Sequence, residues 1–341
     1  MNLRKVKDRS PIFIALLVAL IWLALLPFFY EQFFTTLYYM PFLGALAATI
    51  ANITPAAAGI VYFPILTHID MAPVTVTQFS LMIQAYGMGL GTFRWFVLNR
   101  KLFIFNVIPI SIAGGLLGEI ISIVFLPIKN PELLTLVFNF IAFVFTQIIF
   151  FSLLKNAQYP IKSIVLNWVN RSILFLFAFI GGLLCGWIGF GIDTIFYFIL
   201  TIFFRINPAA SIVTSISLMA AMSVTGTVLN CIFQDMPLPF SLFYSAIPGV
   251  TFAGLFFAAY IAVKMGSRNI LLLFTFFLTI DFLTALWNQG IFPMSDLLKK
   301  MIIYPLGFYM LAIHIRLFIN NYNNKDGVPG DFNAVGEVEI E

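Results

Sequence analysis

Eight uninterrupted apolar runs dominate the chain, at residues 11–29, 73–98, 103–126, 133–154, 208–233, 240–263, 270–287 and 301–319. A helix needs about 20 apolar residues to cross the hydrocarbon of a bilayer, and each of these runs comes close to or exceeds that. Water cannot be the solvent for such a chain. Only 9% of its residues are charged, against roughly 25% in a soluble domain, and 41 of its 341 residues are Phe. The pI of about 9.0 suggests nucleic acid at first sight. The basic residues, however, sit in short clusters between apolar runs, where they orient membrane segments. The lipid bilayer is therefore an expected partner and nucleic acid is not. The first run follows Arg4, Lys5, Lys7 and Arg9 and ends in bulky Leu26, Pro27, Phe28, Phe29 and Tyr30. That is a retained helix, not a cleaved leader with small residues at its end.

Two longer apolar stretches, 37–66 and 172–204, are interrupted. The first contains Asn52-Ile53-Thr54-Pro55 and Gly59; the second contains Gly186, Gly189 and Gly191, then Asp193. Helix breakers combined with polar groups are not tolerated against lipid, so these breaks belong inside protein or beside a cavity. They also open two similar halves. An offset of 135 superposes Pro73 on Pro208, Ser80 on Ser215 and Gly91 on Gly226. An offset of 139 matches Pro109 with Pro248 and Gly115 with Gly254. The matches are collinear, which indicates an internal repeat.

Charge decides between two topologies. If all ten stretches cross the membrane, Lys and Arg divide 10 inside to 8 outside. If each broken stretch instead enters and leaves on one face, only Lys129, Lys299 and Lys300 stay outside, a split of 15 to 3. The positive-inside rule selects the hairpin arrangement. Each half then makes an odd number of crossings, and the second half is inverted relative to the first.

The expected fold is an all-α polytopic membrane protein, with about eight transmembrane helices and two re-entrant segments in an inverted repeat. Its parts are an N-terminal cytoplasmic start with an extra transmembrane helix (1–36) and transporter repeat 1 (37–154). A cytoplasmic connecting loop (155–171) leads to repeat 2 (172–290), a last transmembrane helix (291–319) and a flexible cytoplasmic tail (320–341). Inverted repeats with discontinuous helices are the recurrent plan of secondary transporters, whose solutes bind where the breaks meet. About 15 residues per hairpin arm reach roughly 22 Å.

Some residue runs resemble a known family. Gly186-Trp187-Ile188-Gly189-Phe190-Gly191, then Asn207-Pro208-Ala209-Ala210 and Thr214-Ser215, are similar to the second half of the TauE/SafE sulfite exporters. Pro64-Ile65-Leu66, Pro73 and Ser80 stand at corresponding places in the first half. The resemblance covers roughly 40–290 and implies a permease of the bacterial inner membrane for small, often sulfur-containing, anions. Where the family carries three glycines in the break, this chain reads Ala56-Ala57-Ala58.

Candidate site residues follow from the breaks. Thr54-Pro55 reads either as the N-terminus of a half-helix or as a proline kink in a packed helix. Thr caps helices and Pro suits their first position, and the exposed N–H groups and positive dipole end would attract an anion. Asn52 adds a donor nearby. Ser80, Thr214, Ser215, Gly189 and Gly191 complete the expected substrate-binding set, although hydroxyls on such helices also serve interhelix hydrogen bonding. Asp193 either caps the second half-helix or carries a proton or cation, because ionisable groups at membrane depth are functional candidates by default. Glu119 and Asp281 also lie in apolar runs and are further proton-coupling candidates.

His68 and His314 are isolated, and Cys185 and Cys231 lie singly in apolar runs, so no metal, disulfide or other cofactor is expected. No hydrolase or phosphate-loop pattern occurs, so an enzyme is not expected. The alternatives left open are a transporter of a cation or neutral solute with Asp193 as ligand, and a membrane enzyme or assembly factor. A homo-oligomer is compatible with the sequence.

Overall fold

In a computed structural model, the described residues are 9–128, 130–154, 164–234, 237–288 and 295–323. Among them the chain is helical, without strands. The first half comprises α1 (Ser10–Thr35), α2 (Met40–Ala51), α3 (Gly59–His68), α4 (Pro73–Asn99), α5 (Ile108–Ile120) and α6 (Pro131–Leu154). The second comprises α7 (Trp168–Ile188), α8 (Ile192–Phe198), α9 (Pro208–Phe233), α10 (Phe240–Phe252), α11 (Ala258–Asn288) and α12 (Asp296–Asn323). Short π-helical turns extend α5, α8 and α10 at Ile121–Phe125, Ile199–Phe203 and Ala253–Phe257. Gly266, at φ 75° and ψ 155°, breaks α11, so that Phe240–Gly266 forms one span that ends at the break. Six described helices are long and apolar enough to cross a membrane.

Helix directions follow from which residues touch. Asn52 of α2 reaches Gly87 and Gly91 of α4, while Ala48 lies opposite Gly87, so α2 runs parallel to α4. Gly59 of α3 lies against Ser80 and Gln84, and Tyr62 stacks edge-on against Phe79, so α3 runs back antiparallel to α4. The segment α2–α3 is therefore a hairpin that starts and ends on the side where α4 begins, the Pro73 side.

The second half repeats this from the other side. Gly114 faces Phe175 and Gly118 faces Phe179, which makes α7 parallel to α5 and starts it on the Asn99 side. Gly181 abuts Ile192 and Gly191 abuts Leu184, so α8 folds back along α7. The two central helices, α4 and α9, are antiparallel, as Gln78 meets Cys231 and Leu81 meets Gly226. The halves are thus inverted.

Local backbone conformation repeats with them. Asp70 and Arg205, the two described non-glycine residues with positive φ (63° and 53°), are 135 positions apart in the α3–α4 and α8–α9 turns. Packing is exchanged as well, with α5 lying on α7 as α10 lies on α2, and α6 lying on α11.

Glycine makes the closest of these contacts possible. A Cβ at Gly182 would stand 2.1 Å from the Gly115 carbonyl oxygen, and one at Gly249 would stand 1.7 Å from that of Pro41. Small residues let backbones touch where lipid supplies no hydrophobic drive for association. The outermost helices are held differently. On α1, the Trp22 indole N–H donates to the Tyr244 carbonyl (3.0 Å) and the Tyr244 hydroxyl donates back to the Trp22 carbonyl (2.9 Å), with the rings stacked at 5.2 Å. On α12, the His314 ring bonds the Met310 carbonyl and the Thr275 hydroxyl of α11, which makes it a packing residue.

Two sequence expectations are corrected. The second hairpin is not made of equal arms near 15 residues: α7 has 21 residues, about 31 Å of helix, and ends at Gly189, while the returning arm is the shorter Ile192–Phe203. Nor does a half-helix begin at Thr54-Pro55. The Thr54 hydroxyl turns back to the Ile50 carbonyl (2.8 Å), closing α2, and α3 begins at Gly59. A cap would have to accept an N–H from two or three residues further on, and the Thr54 hydroxyl is turned to the preceding turn instead.

Candidate functional site

The tips of the two hairpins pass one another within the helix bundle. The first, entering from the Pro73 side, brings Asn52 to the level of Gly91 and Trp95. The second, entering from the Asn99 side, brings Gly189 to the level of Thr77 and Gln84. They are joined directly by the Thr194 hydroxyl, which donates to the Pro55 carbonyl at 2.7 Å. Phe138 of α6 seals one flank, stacked on Phe63 at 4.0 Å and edge-on to Phe190 at 4.9 Å.

Each tip is held by α4. The Asn52 amide donates to the Ala48 and Gly87 carbonyls, and the Trp95 indole N–H donates to the Asn52 carbonyl (3.0 Å). The Gln84 amide donates to the Gly189 carbonyl (3.1 Å). Gly189 takes φ 76° and Gly191 φ 131°, a region where side chains are strained, so the second turn depends on glycine.

Several polar atoms around the tips are buried without a hydrogen-bond partner: Asn52 Oδ1, the Tyr62 hydroxyl, Ser80 Oγ, Gln84 Oε1 and Asp193 Oδ2. Buried polar groups are nearly always paired, and unpaired ones gathered at chain breaks mark a place where a polar solute can be satisfied. The first residue of α3 faces two of them. A Cβ at Gly59 would lie 3.6 Å from Ser80 Oγ and 3.5 Å from Gln84 Nε2.

The expected residues separate into groups. Asn52, Thr54, Pro55, Ser80, Gly189, Gly191 and Asp193 are brought together at the tips, all buried. Asp193 accepts the Gly191 N–H through Oδ1 at 3.3 Å, and among the described residues no Lys or Arg pairs with it. Thr214 is drawn away from the tips. It accepts the Ile104 N–H and bonds the Leu102 carbonyl, tying the α4–α5 connection to α9. Ser215 donates within its own helix to the Ile212 carbonyl. Glu119 is fully buried between α5, α7 and α9, where the Thr225 hydroxyl donates to Oε2 and Oε1 is unpartnered. Asp281 lies on α11, but its side chain is outside the described residues.

Sequence reading missed Tyr62, Thr194 and Thr225. One signal was available for Thr225. It precedes Gly226, whose repeat mate Gly91 makes room for Asn52 Oδ1 just as Gly226 makes room for Glu119 Oε1.

Beside the second tip, on the Pro73 side, is a cavity of about 270 Å³. Thr77, Gln78, Ser122, Trp187, Asn230 and Gln234 are among its lining residues. Among the described residues no group of His, Cys, Asp and Glu is arranged to hold a metal.

Comparison with known proteins gives one match. The profile of the sulfite exporter TauE/SafE family matches residues 40–284, the two hairpins and both helical sets but neither α1 nor α12. No curated protein and no solved structure matches the chain. With nearly three quarters of its length matched, across both inverted halves and the site between them, the chain belongs to the sulfite exporter TauE/SafE family of membrane transporters.

Proposed function

We propose that the chain is a secondary transporter of a small anion, sulfite or a related sulfur oxyanion, that couples its movement to protons. The anion is bound between the first turn of α3 and the Ser80 and Gln84 side chains, and Asp193 carries the proton. The observation behind this is the meeting of crossed breaks with unpaired buried hydrogen-bonding groups. The helix N-terminus supplies a positive dipole end, and the buried, unpartnered Ser80 hydroxyl lies at the same place. Asp193 sits at the other tip with no cation beside it and one oxygen unpaired, as a proton carrier at membrane depth would. The Thr194–Pro55 bond makes the two tips move as neighbours, which links proton occupancy to the anion site.

The protein resides in this reading in a bacterial inner membrane with the Asn99 side in the cytoplasm. Arg94, Arg100, Lys101, Arg171, Arg205 and Lys264 all fall toward that side. Both termini then lie in the cytoplasm.

Uptake of radiolabelled sulfite against labelled cations into proteoliposomes, with and without a pH gradient, tests the proposal. Saturable sulfite flux that grows with the gradient is expected. Ser80→Ala should raise the apparent KM roughly tenfold, since a hydrogen bond to a charged group contributes about 1.5–3 kcal/mol. Asp193→Asn should abolish the pH dependence. Cation flux without anion flux would refute the proposal, and so would unchanged pH dependence in Asp193→Asn.

A further inference from the structure

The cavity on the Pro73 side is not part of the anion site, and its walls have a chemistry of their own. Gln78 of α4, Ser122 beyond α5, Trp187 of α7, and Asn230 and Gln234 at the end of α9 help to enclose about 270 Å³, far more than one water molecule needs. Among the described lining residues there is no Lys, Arg, Asp or Glu. The inner wall backs onto the second tip. A Cβ at Gly186 would stand 2.0 Å from Ser122 Oγ, and one at Gly189 would stand 3.3 Å from Thr77.

Backbone carbonyls take up most of the donors around this space. The Thr77 hydroxyl donates to Pro73 (3.1 Å), the Ser122 hydroxyl to Glu119 (3.0 Å) and the Trp187 indole N–H to Leu126 (2.8 Å). The Asn230 amide donates to Gly226 (3.0 Å) and the Gln234 amide to Ile123 (2.6 Å). These two bonds fix which end of each amide is nitrogen, because an oxygen turned to a carbonyl would be repelled. The Gln78 amide nitrogen lies 3.5 Å from the Cys231 sulfur. Its Oε1 is buried without a partner, on a side chain that is 2% exposed. The lining residues thus carry three amide and two hydroxyl oxygens that accept from no described donor, while only one further N–H remains on each amide. The rest of the wall is apolar, including Val74, Ile123, Ile128 and Leu134. A surplus of neutral acceptors beside an apolar wall suits a solute with N–H donors on an apolar body. An anion would meet the same oxygens with no countercharge.

We infer that this cavity is a second ligand site, which takes a small primary alkylammonium. Its head is held by the Gln78, Asn230 and Gln234 oxygens and its chain lies against Val74, Ile128 and Leu134. An ammonium brings three donors and no acceptor, which matches three amide oxygens, and its charge strengthens each bond. A bare metal cation would leave the apolar wall and most of the volume unused. The site goes beyond the transport reading and does not depend on it. Only its placement on the outer face of the membrane rests on that reading.

The test is thermal unfolding of the full chain in detergent, titrated with n-butylammonium chloride, n-butanol or sodium butanesulfonate, which share a chain and differ in the head. Butylammonium should raise the Tm saturably and more than butanol does, and sodium chloride at equal ionic strength should not reproduce the rise. Gln78→Met keeps the length of the side chain and removes its oxygen. It should weaken the apparent affinity for butylammonium roughly tenfold or more, the scale of one hydrogen bond to a charged group. Should Gln78→Met fail to fold, Val74→Phe, which fills the space on the chain side, should weaken it likewise. Equal shifts from butylammonium and butanol, or from sodium chloride, would overturn the inference, as would unchanged affinity in either folded variant. A butanesulfonate shift that Gln78→Met removes would overturn it too. Butylammonium binding that Gln78→Met weakens, in a protein that carries no sulfite, would uphold this site and refute the transport reading alone.

Discussion

Gly182→Ala adds one methyl group where α5 and α7 are closest. The new Cβ would stand 2.1 Å from the Gly115 carbonyl oxygen, 2.8 Å from its carbon and 2.9 Å from its Cα. All three are backbone atoms of a helix, so no side chain can swing aside. Ordinary contact begins at 3.4 Å, which leaves the helices to part by about 1 Å. Overpacking of this kind costs about 1–3 kcal/mol. Gly89→Ala is the matched control, on the neighbouring central helix with nothing within 4 Å of the added carbon. There the substitution removes backbone freedom from the unfolded chain and stabilises by about 0.5–1 kcal/mol.

Thermal unfolding of both variants in one detergent measures the contrast. At about 2–4 °C per kcal/mol in proteins of this class of size, Gly182→Ala should melt several degrees below wild type and Gly89→Ala slightly above it. A Gly182→Ala protein that melts with or above wild type would refute the close-packing argument.

Three further outcomes follow from single bonds. Thr194→Val leaves the Pro55 carbonyl unpaired and uncouples the two tips. It should lower stability by about 1–3 kcal/mol and slow sulfite flux more than Thr227→Val, whose hydroxyl bonds only within its own helix. Asn52→Asp sets a carboxylate oxygen against the carbonyls of Ala48 and Gly87, where the amide now donates. Its yield of monodisperse protein should fall well below that of Asn52→Ala, and equal yields would show that the amide is not what holds the tip. On α1, Trp22→Ala removes a stacked ring and an N–H, while Tyr244→Phe removes one hydroxyl bond of about 1 kcal/mol, so the tryptophan variant should melt lower.

Much of the architecture could be read from the chain because lipid makes composition decisive. Runs 208–233 and 240–263 lie on helices beginning at Pro208 and Phe240. The offset of 135 connects Pro73 with Pro208, each at the start of a central helix, and the same offset connects the left-handed turn residues Asp70 and Arg205. The hairpins were legible only through charge, since the cost of placing Lys and Arg on the wrong side acts on whole loops.

Side-chain partnerships were harder to read, and for one reason. Thr225 meets Glu119 across 106 positions, Thr194 meets Pro55 across 139, and Thr214 meets the α4–α5 connection across 110, so no local pattern records them. Where a residue had a satisfying partner four positions back, as Thr54 has in Ile50, local chemistry overrode the capping signal read from Thr-Pro. The repeat supplies what single residues lack. Gly91 and Gly226 occupy equivalent places, and in each half the missing side chain admits a polar group of a neighbouring helix, Asn52 in one and Glu119 in the other. The fold is symmetric in backbone while the chemistry is not. A neutral amide stands on one side and a carboxylate on the other, so two breaks with the same backbone plan offer different chemistry, which is what the proposed assignment of the anion to one and the proton to the other requires.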